Sequence, residues 1–98
     1  MKIKLMPEYE CYPTWVENDG MFDNIDPKEL PISLDLANRI TKWSDDYEKT
    51  YDKEDPRESR FLSNLDKNSF IEEGERLREE LITELKQDYE VLLQIDMD

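Results

Sequence analysis

Histidine is absent from this chain of 98 residues, and cysteine occurs once, at position 11. Without an imidazole there is no Ser-His-Asp or Cys-His relay, and Cys11 has no base to activate it. A lone cysteine also excludes an internal disulfide and a cysteine-rich zinc site. The plain reading of Cys11 is a small, half-buried apolar side chain. Glycine occurs only twice. No apolar run approaches the roughly 20 residues of a membrane span. The opening Met-Lys-Ile-Lys-Leu-Met-Pro-Glu lacks the apolar stretch of a signal peptide, so a cytoplasmic, soluble protein is expected.

Positive charge is scarce as well. Thirteen Lys and Arg face 26 Asp and Glu, for a formal net charge of −13 and a pI near 4.3. The bases are scattered and form no stripe, so direct contact with nucleic acid or an anionic membrane works against the charge. A basic protein partner is favoured, and attraction would speed its encounter. The same charge opposes self-association, so a monomer or weak dimer is expected.

What is present is a single domain of modest core, with 37% hydrophobic and 10% aromatic residues. Residues 2 to 6 alternate, with Ile3 and Leu5 on one side and Lys2, Lys4 and Met6 on the other, which predicts a strand that Pro7 ends. Residues 7 to 32 carry four prolines and one glycine and read as a long irregular arm, pinned over the core by Trp15 and Phe22. Ser33 caps a helix whose Leu36, Ile40, Trp43 and Tyr47 share a face and which runs to Thr50 or Tyr51. Asp35–Arg39 and Asp45–Lys49 are spaced to pair on its other face.

A charged connection at 52–62, broken by Pro56, leads to a second helix. Ser63 or Ser69 can cap it, the earlier being favoured, and it ends near Lys86. Its apolar face is Phe70, Gly74, Leu77, Leu81 and Leu85. A glycine inside a helix costs about 1 kcal/mol against alanine, so Gly74 implies a close neighbour such as Trp43. Tyr89, Val91, Leu93 and Ile95 alternate in a closing strand. The fold class is α+β, with two packed helices over a small sheet formed by the N- and C-terminal strands. Two strands make a thin sheet, so the arm or a partner can add another.

Carboxylate pairs such as Asp45/Asp46, Glu72/Glu73 and Glu79/Glu80 are adjacent on helices and diverge, which makes them poor acid–base dyads. The Asp52–Asp55 stretch lacks the glycine and ligand spacing of an EF-hand loop. No enzyme activity, cofactor or dedicated metal site is expected. The acid itself is unevenly placed: ten acids and three bases from residue 69 to 98, and seven and three from 1 to 32. On the second helix Glu73, Glu80 and Glu84 fall beside the apolar stripe, with only Arg76 near. In the arm Glu17, Asp19, Asp23 and Asp26 make a second set. Both sets are candidate partner-binding residues, and Trp15 is a candidate interface anchor.

The stretches Cys11-Tyr-Pro-Thr-Trp15, Asn24 to Ser33, Trp43 with Tyr47, Asp55-Pro56, and Phe70 through Gly74 to Leu77 together resemble a family of small acidic bacterial proteins. These are the immunity proteins of contact-dependent growth inhibition and related polymorphic toxin systems. The likeness spans roughly residues 1 to 92 and rests on spaced aromatics and prolines rather than a catalytic motif. Arg60 stands where such proteins often carry glycine. The resemblance implies an antitoxin-type protein that neutralises a basic toxin, expected to be a nuclease, by stoichiometric binding. The alternative is an acidic adaptor or regulatory domain with no toxin partner, and a small hydrolase ranks behind both.

Overall fold

The computed structural model describes residues 1–50 and 64–95. The 52–62 connection, Arg60, and Ser63 as a helix cap lie outside the described residues. The order is β1 (Lys2–Leu5), β2 (Thr14–Asn18), β3 (Met21–Ile25), a 3-10 turn (Pro27–Glu29), α1 (Leu34–Glu48), α2 (Asn64–Leu85), a second 3-10 turn (Lys86–Asp88) and β4 (Glu90–Leu93). The sheet order is β3-β2-β1-β4. The chain ends pair as parallel strands, Ile3 beside Val91 and Leu5 beside Leu93. The architecture is α+β, as the sequence pattern predicts.

The arm is where pattern and structure part. Residues 14 to 25 form an antiparallel hairpin that doubles the sheet, with β2 pairing β1 in the register Ile3–Val16, Lys4–Trp15 and Leu5–Thr14. Its signal was Asp19-Gly20 between strand-forming residues. Asp19 (φ 53°) and Gly20 (φ 83°) both take the left-handed backbone that a tight hairpin turn requires, and Asn18 and Met21 close it as a pair. Four prolines suggested irregular chain, but all lie outside the two strands.

Residues directly opposite in a sheet share a face. Ile3 and Leu5 are fully buried, so Val16, Thr14, Val91 and Leu93 turn with them toward the helices. Lys4, Trp15 and Leu92 turn the other way. Trp15 and Phe22 therefore do not pin the core. The Trp15 indole N–H donates to the Met6 carbonyl at 3.0 Å, and the Phe22 ring lies 4.6 Å under the Lys4 ammonium, both on the outer sheet face. The aromatic that closes the core from the arm is Tyr9. Its ring stacks on Tyr47 at 4.6 Å, and its hydroxyl shares a 2.7 Å hydrogen bond with Thr50.

α1 begins as its cap dictates: Ser33 Oγ accepts from the Leu36 N–H at 3.2 Å. Leu36, Ala37, Ile40, Trp43 and Tyr47 are buried against Phe70, Leu77, Leu81 and Leu85 of α2. Asn64 is already helical, so Ser69 lies inside α2 rather than capping it. Trp43 stacks on Phe70 with ring centres 4.5 Å apart and planes 4° from parallel, and its indole N–H donates to the Phe70 carbonyl at 2.9 Å. Tyr89, Leu93 and Ile95 pack on the same core.

Candidate functional site

Glu73 and Glu80 of α2 are two turns apart, and the structure brings them together on a cation that sequence spacing assigned elsewhere. Arg39 does not pair with Asp35. It crosses from α1, donating from Nη2 to both oxygens of Glu73 at 3.2 and 3.4 Å and from Nη1 to Glu80. Arg76 adds a 3.0 Å bond from Nε to the same Glu73. Partial burial opposes the Arg39 charge, but the hydrogen bond it donates to Glu80 and the charges of Glu73 and Glu80 outweigh it and raise the guanidinium pKa. Arg76 is thus not the sole cation near the stripe. Helix-to-helix proximity could not be read from α2 alone.

Glu84 is engaged too. Its carboxylate accepts from the Ser33 backbone N–H at 2.6 Å and the Ser33 hydroxyl at 2.8 Å. An acidic group at the first turn of α1 also suits the positive end of its dipole. The three carboxylates Glu73, Glu80 and Glu84 form one row, and every member holds α1 against α2 or fixes its start.

The second set is dispersed over the hairpin. Glu17 lies opposite Phe22 on the outer sheet face, whereas Asp23 lies opposite Val16 on the helix side. Asp19 is exposed at the turn. Asp26 accepts from the Lys28 N–H at 2.9 Å and caps the 3-10 turn. The hairpin forms one edge of the sheet, and α2 packs beside β4 at the other. Glu17, Asp19 and Asp23 therefore lie at the sheet edge away from β4, whereas Asp26 sits on the turn that packs against α1. Trp15 is half-buried, tied to Met6, and stands among Lys4, Phe22 and Glu17.

A third acidic surface was not singled out by spacing. Segment 10–13 crosses α1, its course set by the Tyr9–Tyr47 stack, by the Glu10 N–H donating to Glu48, and by Asn24, which bonds both the N–H and the carbonyl of Tyr12 at 2.9 and 2.7 Å. Glu10 takes the left-handed backbone, φ 61°. Between this segment and α1 runs an open groove walled by Glu10, Tyr12, Asp26, Asp45 and Glu48, with Ser44 buried beneath. Asp45 does not pair with Lys49, which reaches Asp46 instead at 3.7 Å. Cys11 also lies here. Partial burial, then the charges of Glu8, Glu48 and Glu10, push its thiol pKa up. Among the described residues no group of three or more His, Cys, Asp or Glu converges to hold a metal, and no helix is long and apolar enough to cross a membrane.

Fold and surface together define a small acidic α+β domain whose accessible chemistry is carboxylate. The chain belongs to the Serratia CdiI immunity protein-like family, whose model matches residues 1–95. No curated protein matches it.

Proposed function

We propose that this chain neutralises a basic toxin, a nuclease, by stoichiometric binding and without chemistry of its own. The observation that carries this reading is the net charge of −13 on a member of an immunity protein family. A nuclease cleft is electropositive because it must hold phosphates, and an acidic inhibitor can fill or block it. The adaptor reading needs no toxin and is favoured by no particular residue.

The test first asks whether the neighbouring upstream gene encodes a toxin-like C-terminal domain, and then uses that domain. The two proteins are purified separately, and nucleic-acid cleavage is followed as the acidic chain is added. Cleavage should stop at one equivalent, and cells making the chain should survive the toxin. A toxin domain that cleaves no nucleic acid would remove the nuclease assignment. Survival without complex formation would remove stoichiometric binding.

A further inference from the structure

We propose that the groove between α1 and segment 10–13 is a socket for an arginine side chain of the protein partner. The inference rests on the reading above that this partner is a basic protein, and it deepens that reading to one side chain and one place. Residues 41, 44, 45 and 48 lie at helical spacing on one face of α1, and all four line the groove.

Its floor carries a hydroxyl that no protein group engages among the described residues. Ser44 is only 7% exposed, yet among the described residues its hydroxyl has no hydrogen-bond partner, unlike Thr41, which donates to the Ala37 carbonyl at 3.0 Å. Among the described residues no fully buried side-chain oxygen or nitrogen lacks a partner, so this hydroxyl is reached from the groove that Ser44 lines and is open to an entering donor. The walls supply acceptors. Neither the carboxylate of Asp45 nor that of Glu10 has a hydrogen-bond or ion-pair partner among the described residues. Glu48 and Asp26 each spend one oxygen on a backbone N–H and keep the other. Among the described residues Lys28 is the one cation lining the groove, and it makes no ion pair with any of them.

Arginine fits this set better than lysine. A guanidinium presents five donors in a planar fork, enough for carboxylates on two walls and a hydroxyl below, where an ammonium has three. Tyr12, half exposed at 50% with its backbone fixed by Asn24, offers an aromatic face for the guanidinium to stack on. The upward push on the Cys11 thiol pKa, after the part due to burial, comes from Glu8, Glu48 and Glu10, so the field along this wall is negative.

The test is an NMR titration of the full chain with N-acetyl-arginine amide, and in parallel with N-acetyl-lysine amide, at about 0.1 M salt so that diffuse attraction is screened. Saturable shifts confined to Tyr12, Ser44, Asp45 and Glu48 are expected, with arginine the tighter ligand. Asp45→Asn and Ser44→Ala should each weaken binding at least about threefold, a difference of about 0.65 kcal/mol, while Glu90→Gln, the same charge change on the outer sheet face, should not. Shifts spread over the whole acidic surface would overturn the socket, as would equal binding by both variants and the parent. Lysine binding as tightly as arginine would overturn the choice of side chain. No toxin enters this titration, so its failure touches the groove alone. Failure of the cleavage and survival test touches the toxin reading alone.

Discussion

The indole of Trp43 lies so near the backbone of Gly74 that a Cβ built on Gly74 would stand 2.9 Å from Trp43 Cζ2 and 3.4 Å from Cε2. Gly74 is thereby explained: the helix forgoes a side chain so that a buried ring can lie against it. Gly74→Ala should lower stability. Helix propensity gains about 1 kcal/mol, but forcing a methyl group into a rigid, stacked indole costs about 1–3 kcal/mol, leaving a net loss of about 1 kcal/mol by urea unfolding. In a Trp43→Leu background the ring is gone and the same change should become neutral or stabilising. Additive effects would mean that the two residues are not coupled.

Trp43→Ala removes more. It deletes the stack on Phe70, the bond to the Phe70 carbonyl and the largest fully buried side chain of the core. Loss of about 3–5 kcal/mol is expected, and an unfolding midpoint within a few tenths of a molar urea of the parent would contradict it.

Reversing Glu73, Glu80 and Glu84 to lysine together should destabilise the domain as well as alter binding. From α2 alone the three glutamates look like a free solvent-facing row, and the change looks harmless to the fold. In the structure two of them hold Arg39 and the third holds Ser33. The Arg39 pairs are exposed, with 41% of that side chain accessible, so each adds only about 0.2–1 kcal/mol. Removing both, placing lysines against Arg39 and losing the two bonds to Ser33 should together cost about 2–3 kcal/mol. A triple variant with parental stability would show that these pairs are not held in solution. Stability therefore has to be measured beside any loss of partner binding.

Much of the frame was legible because it rests on local rules. Ser33 announced its cap, Leu36 through Tyr47 and Phe70 through Leu85 announced their faces, and the alternation at Ile3–Leu5 and Val91–Leu93 announced the paired ends. The hairpin was hidden by the prolines that flank it, although Asp19-Gly20 marked it. The destination of Arg39 was not legible at all. Asp35 lay one turn away and Glu80 forty-one residues away, and only the packing of α1 on α2 decides between them. For the same reason the groove of Ser44 and Asp45 left no sequence signal: its walls come from three separated segments. The arm's acids looked like one patch because they are close in sequence, but strand alternation sends Glu17 and Asp23 to opposite faces.

Cys11 should be a sluggish thiol. Partial burial and the neighbouring Glu8, Glu48 and Glu10 disfavour the thiolate, and the thiolate is the reactive form. The pH midpoint of its alkylation by iodoacetamide should lie above that of free cysteine in the same buffer. Glu48→Gln removes one of the negative charges and should lower the midpoint. Labelling of the parent with the midpoint of an ordinary thiol would mean that segment 10–13 does not sit against α1 as described.

The hairpin offers a cleaner probe of electrostatic recognition than α2 does. Asp23 is exposed and has one weak contact, 3.5 Å from the Asn18 amide, and Glu17 has no ion pair among the described residues. Both can be reversed to lysine with little effect on the fold. Asp19 needs more care, because its φ of 53° suits Asn far better than Lys, so Asp19→Asn is the change to combine with them. If a basic toxin approaches over this edge, the triple variant should associate at least about tenfold more slowly at low salt, and the two rates should converge as ionic strength rises. Circular dichroism should be unchanged. An on-rate that does not move would place the encounter away from the hairpin. Asp45→Lys would then test whether the partner is met at the groove of Ser44 and Asp45, beside the stability-controlled reversal of the α2 carboxylates.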